Sequence, residues 1–143
     1  MSLPVVLGAP FPNLVLARAD GTGMELYDLW KREHGLLLLQ KEPHADVMAF
    51  VRRFQDEART FEWLQTRLLA VFPTRDVIPT PWPAPGYPAL IYSEPLPTGM
   101  DWGKLYVISK NKTLYEVYPE PAMISVDKVE RDLLVWEANH CLP

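Results

Sequence analysis

Four consecutive leucines, Leu36 to Leu39, lie between Gly35 and the polar pair Gln40-Lys41. A run this short and apolar at every position predicts a strand buried on both faces of a parallel sheet. After Pro43 the period changes. Val47, Phe50, Val51, Phe54 and Ala58 recur at helical spacing, while Arg52, Arg53, Gln55, Asp56 and Glu57 fill the opposite face. This pattern predicts one amphipathic helix with its phenylalanine stripe against the sheet. Asp46 stands just before the stripe, where a carboxylate accepts orphan amide hydrogens, so the helix is expected to begin near it.

Upstream, Pro4, Pro10 and Pro12 forbid a helix, and Asp20-Gly21-Thr22-Gly23 supplies the turn of a β-hairpin between Asn13–Ala19 and Met24–Leu26. Tyr27 to Trp30 reads as a single helical turn. Downstream, Thr60 to Arg67 stays helical in character, and Leu68 to Phe72 is a second buried strand closed by Pro73. Strand, helix and strand with short links make a βαβ unit.

Pro79 to Pro88 has five prolines in ten residues, which excludes helix and favours an extended left-handed course. Its aromatics, Trp82 and Tyr87, either pack back onto the core or face a proline-recognising partner. Ala89 to Tyr92 predicts a short edge strand. Lys104–Ser109 and Leu114–Tyr118, parted by Lys110-Asn111-Lys112-Thr113, predict a second hairpin that Pro119 and Pro121 end. Ser125 caps a last helix in which Val126, Val129, Leu133 and Trp136 repeat at helical spacing, ending near Asn139.

At 143 residues the chain is expected to form one domain across 1–143. A net charge of -4, with Lys31-Arg32 as its nearest basic run, argues against nucleic acid. The first ten residues read as neither a secretory signal nor an anchor, and no apolar stretch reaches the roughly 20 residues of a membrane span. Cys141, the only cysteine, cannot form an intramolecular disulfide, which fits a cytoplasmic setting.

The order hairpin, strand, helix, strand, irregular segment, strand, strand, helix resembles the thioredoxin-like fold of peroxiredoxins and related thiol-disulfide reductases. Leu7 to Gly21, LGAPFPNLVLARADG, is similar to the "G-x-x-x-P-x-F-x-L-x-x-x-x-G" opening of peroxiredoxins, and Gly103 to Ser109 to their "R-T-F-V-I-D-x-x-G" hairpin. The resemblance implies an α/β, three-layer sandwich around a central mixed sheet with an added N-terminal hairpin. It would place a redox cysteine where the leucine strand meets the helix.

That position holds none. The "P-x-x-x-T-x-x-C" motif of peroxiredoxins falls on Pro43, Val47 and Phe50, and a thioredoxin C-x-x-C falls on His44-Ala45-Asp46-Val47. The family's chemistry needs a thiolate, because neither imidazole nor carboxylate forms a sulfenate or mixed disulfide. Two further departures accompany this. No proline directly precedes Lys104, which takes roughly the place of the peroxiredoxin arginine, and the proline-rich tract replaces a helix.

Glu42, His44 and Asp46 alternate around the junction and could offer ligands or acid and base groups, but His44 reads first as a polar residue at a helix terminus. His34 and His140 read as surface residues. Of the five tryptophans most are expected in or near the core, with Trp82 and Trp102 in irregular segments. The expectation is therefore a redox-inactive binding domain without cofactor or metal. Its partner, a protein or small ligand, would meet Pro43, His44, Asp46 and Lys104, or the loop aromatics Trp82, Tyr87 and Trp102. The competing expectation is a thiol-dependent peroxidase or reductase acting through Cys141, or a carboxylate and histidine hydrolytic site at the junction. Pairing of sheet edges would make a homodimer, with no residues singled out for it.

Overall fold

A computed structural model describes residues 5–29, 33–119 and 125–140. Its strands are β1 (Val15–Arg18), β2 (Gly23–Glu25), β3 (His34–Leu39), β4 (Thr66–Phe72), β5 (Ala89–Ile91), β6 (Leu105–Ile108) and β7 (Leu114–Tyr118). The helices are α1 (Leu26–Leu29), α2 (Ala45–Asp56), α3 (Ala58–Trp63) and α4 (Val126–His140), with a 3-10 turn at Arg75–Val77. Among the described residues all seven strands join one mixed sheet in the order β2-β1-β5-β4-β3-β6-β7.

Every residue of β3 is buried, because β4 runs parallel on one side, β6 antiparallel on the other, and both faces are covered. Leu36 and Leu38 face a core built with Val47, Phe50, Val51 and Phe54 of α2, Phe61 of α3, and Val126, Val129 and Leu133 of α4. Leu37 and Leu39 face a second core with Phe11, Leu14, Leu26, Leu69, Val71, Met100 and Tyr106. Helices therefore cover one face, while the N-terminal segment, the single turn α1 and the loop before β6 cover the other. Alternation along a strand sends successive leucines to opposite layers, and this produces the three-layer sandwich.

The N-terminal segment is fastened at both ends of its course. The Val5 N–H donates to the Thr98 carbonyl (2.8 Å), the Leu114 N–H to the Ala9 carbonyl (3.1 Å), and the Phe11 N–H to the Lys112 carbonyl (2.7 Å). The last two lay this segment beside the turn that leads into β7 and against the first residue of that strand.

Several expectations change. Ala89–Ile91 is an interior strand, parallel to β4 and antiparallel to β1, because the N-terminal hairpin docks outside it. The helix does not run through to Ala58. It stops at Asp56, and Glu57, at φ -105 and ψ 25, divides α2 from α3. His34 is 1 % exposed instead of lying on the surface, with its ring edge-on to Trp136 and Nε2 2.8 Å from Glu137 Oε1. Lys110 reaches the same oxygen at 2.6 Å, so the start of β3 is bound to α4 through a part-buried polar cluster. Trp63, in contrast, is 76 % exposed. Trp30, Lys31, Arg32, Pro121 and Cys141 lie outside the described residues.

Candidate functional site

The carboxyl end of β3 is held from both sides, by the Gln40 N–H on the Val71 carbonyl (3.0 Å) and by the Gly103 N–H on the Leu39 carbonyl (2.7 Å). The Leu39 N–H donates in turn to the Lys104 carbonyl (3.0 Å), so pairing with β6 brings Lys104 beside the junction. The chain then turns through Lys41, Glu42 and half-buried Pro43 into α2.

His44, and not Asp46, is the residue before the helix. Its backbone is extended (φ -87, ψ 149) and its carbonyl accepts the Met48 N–H at 2.9 Å, but its ring makes no capping bond. Asp46 is one residue inside the first turn, where its charge favours the positive helix end without capping it. His44 and Asp46 are both exposed, and Phe50 is buried in the core. Lys104 Nζ donates to Asp101 Oδ2 at 3.1 Å, and this bond holds the ammonium above its ordinary pKa. Trp102 is half-buried against the second core.

The loop aromatics sit elsewhere. Tyr87 is buried against Phe54, ring centroids 5.1 Å apart and edge-on, and its carbonyl accepts the Trp82 indole N–H at 2.8 Å. Trp82 meets Phe72 edge-on at 5.7 Å. The tract thus packs inward, which leaves half-buried Trp82 as its more accessible aromatic.

A shallow depression of about 310 Å³ adjoins the junction, lined by Asp46, Ala49, Phe50, Arg53, Ser125, Val126 and Asp127. It forms where the first turns of α2 and α4 come together, and Ser125 Oγ caps the latter by accepting the Lys128 N–H (3.1 Å). Just beyond it the carboxylates of Glu57, Asp127 and Glu130 converge to within 4.8 Å. These are the described residues best placed to surround a cation, and the Arg53 guanidinium already occupies that role, on Glu57 and 3.9 Å from Asp127. Sequence reading missed this cluster because its members, from the end of α2 and from α4, are far apart in the chain and meet only in the fold.

Glu130 Oε1 is buried and no described residue donates to it. A proton held between the Glu57 and Glu130 carboxyl groups would supply the missing donor. The hydrogen bond to Glu57, followed by burial, lifts Glu130 from 4.5 to about 7, while the bond to Glu130 lowers Glu57. Asp127 adds to the rise and Arg53 opposes it. A carboxyl group whose folded pKa is raised stabilises fully below its unfolded pKa and loses that contribution as pH climbs through the folded value. Fold stability should therefore decline between about pH 4.5 and 7 on account of Glu130. Glu130→Gln, whose amide donates at any pH, should match the native protein at pH 5 and exceed it at pH 8 in thermal denaturation. A parallel decline in the variant would contradict the shared proton.

No family model and no curated protein sequence matches the chain. Solved structures do. A domain described as a possible thiol-disulfide isomerase from Cytophaga hutchinsonii superposes with a TM-score of 0.71 at 17% identity, covering 96% of this chain and 97% of that one. The peroxidoxin BcpB of Mycobacterium tuberculosis gives 0.68 at 16% identity over 92% and 97%. The yeast mitochondrial 1-Cys peroxiredoxin gives 0.69 at 13% over 94% and 78%. Identities this low carry architecture alone, and what they establish is that the chain has the thioredoxin-like fold of the peroxiredoxins and thiol-disulfide isomerases.

Proposed function

We propose that the chain is a redox-inactive thioredoxin-like binding module whose partner, a protein or small ligand, contacts Pro43, His44, Asp46 and Lys104. The observation that carries this reading is the composition of the β3–α2 junction. From Gln40 to Phe50 there is no cysteine, and Phe50, at the position of the peroxidatic thiol in the peroxiredoxin pattern, is buried in the core. Thiol chemistry at this place has no nucleophile. The exposed His44 and Asp46 and the adjoining depression supply instead a polar contact surface over an apolar floor. No helix of the described residues is long and apolar enough to cross a membrane. The acidic balance disfavours nucleic acid as the partner, and the lone cysteine suits the cytoplasm.

Peroxide consumption in the presence of excess dithiothreitol tests the reading. The protein should turn over no faster than buffer. Turnover that is abolished by Cys141→Ala would replace it with a one-cysteine peroxidase.

A further inference from the structure

At the end of the sheet away from the β3–α2 junction, β4 begins at Thr66 but β5 joins it only at Ala70, opposite Ala89. The chain before Ala89 turns towards the helices instead, where the Gly86 N–H donates to Gln55 Oε1 at 2.8 Å and the Tyr87 N–H to the Ala84 carbonyl at 2.9 Å. This leaves a cleft of about 590 Å³, within the range of ligand sites. It is bounded by Arg18 and Met24 of the N-terminal hairpin, by Gln55 and Glu62 of the helical layer, and by Tyr87 and Pro88 of the departing chain.

Tyr87 is the unusual member. It is 8 % exposed and its ring is set edge-on against Phe54, yet its hydroxyl has no hydrogen-bond partner among the described residues. Buried phenols ordinarily find one. Glu130 Oε1 is the only fully enclosed side-chain oxygen left unpaired among those residues, so the Tyr87 oxygen is not enclosed and opens on the cleft that its ring lines. Gln55 Nε2 likewise donates to no described residue.

The charges around this hydroxyl are unevenly placed. Burial first, then the Glu62 carboxylate, raise its pKa, Glu33 adds to the rise and Arg67 opposes it. Arg67 and Glu33 lie 3.7 Å apart and offset one another, so the surplus beside the phenol is the negative charge of Glu62, which forms no ion pair among the described residues. Arg18 is also without an ion pair among them, and it is not one of the charges felt by the Tyr87 hydroxyl, so it stands apart from it at the β1 margin. The cleft thus has a negative end and a positive end.

We propose that this cleft binds a small zwitterion, a short peptide with free ends, whose ammonium group is received by Glu62 and the Tyr87 oxygen and whose carboxylate is received by Arg18. The phenol proton and Gln55 Nε2 serve the first peptide carbonyl, and Met24 and Pro88 offer apolar contact to the side chains. A ligand of one sign leaves one of the two charges unanswered. A single α-amino acid holds its two charges one carbon apart, and receptors that close would put Arg18 within reach of the Tyr87 hydroxyl, as Arg67 is. Separation by at least one peptide unit fits the spacing. This site is independent of the β3–α2 junction.

The probe is a panel of dipeptides and tripeptides of alanine, leucine and serine, titrated into isotopically labelled protein. Binding should shift the backbone amides of Gly86 and Tyr87 and the side-chain amide of Gln55. N-acetylation or C-terminal amidation should each weaken it about tenfold, the worth of one charge-assisted hydrogen bond. The acetylation effect should vanish in Glu62→Gln and the amidation effect in Arg18→Gln, two exposed positions whose replacement leaves the fold intact. Tyr87→Phe keeps the ring against Phe54 and should weaken the free peptides about tenfold without lowering the melting temperature. The proposal is overturned by the absence of shifts at millimolar peptide, by shifts confined to the amides near His44, by capped peptides that bind as well as free ones, or by unaltered affinity in Tyr87→Phe.

Discussion

Phe54→Ala should lower the unfolding free energy by about 3–5 kcal/mol, the usual loss when a buried phenylalanine is cut to a methyl group. Phe54 has no exposure, stacks on Phe61 with centroids 3.8 Å apart and planes 17° from parallel, and meets Tyr87 edge-on. Three elements, α2, α3 and the segment before β5, thus converge on one ring. Their positions are set by different backbone bonds, so they cannot close together over the gap, and the cavity cost adds to the lost transfer free energy. Guanidinium unfolding measures this as a shift in midpoint at constant slope. Trp63→Ala, two residues beyond Phe61 on the solvent side, is the control and should change stability by no more than about 0.5 kcal/mol. Comparable losses at the two positions would mean that the aromatic stack is not where the core is concentrated.

Gly99→Ala should cost roughly 2–5 kcal/mol, although it adds one methyl group. Gly99 holds φ +92, a conformation that an L side chain resists by about 1–2 kcal/mol. An added Cβ would also lie 2.4 Å from the Val5 carbonyl oxygen and 3.1 Å from its nitrogen. Neither is the mobile end of a side chain, so the strand entry carrying Val5 has to move, and its bond to Thr98 is endangered. Thermal denaturation reads the loss. Hydrogen exchange should find it concentrated at Val5 and the amides that follow. Alanine at Gly21, also at positive φ but with open space about it, should cost only the handedness penalty.

The parts of the fold that were legible in the sequence are those whose cause is local. Four adjacent leucines announce a strand covered on both faces, and the spacing of Val47, Phe50, Val51 and Phe54 announces the helix face that covers it. What stayed hidden depends on partners distant in the chain. Nothing around His34 indicates that Glu137, 103 residues later, will meet its ring. Ala89–Ile91 reads as an edge because its neighbour β1 belongs to a hairpin that could dock on either margin. The break at Glu57 is invisible to periodicity, since Phe61 resumes the apolar stripe after a turn of irregular backbone. The candidate site divides in the same way. The lack of a thiol at the junction is written in the residues themselves. The carboxyl cluster of Glu57, Asp127 and Glu130 exists only once α4 has packed beside the end of α2.

The strap from Val5 to Phe11 has a bearing on the order of assembly. Its partners, Thr98, Lys112 and Leu114, are roughly a hundred positions further along, so synthesis makes this stretch well before the residues that seat it. Until then Lys112 and Leu114 at the entry to β7 lack these bonds, and a second molecule offering the same strap could supply them. Dilution during refolding should therefore favour monomers, and crowded nascent chains are the setting in which exchanged straps would first be seen.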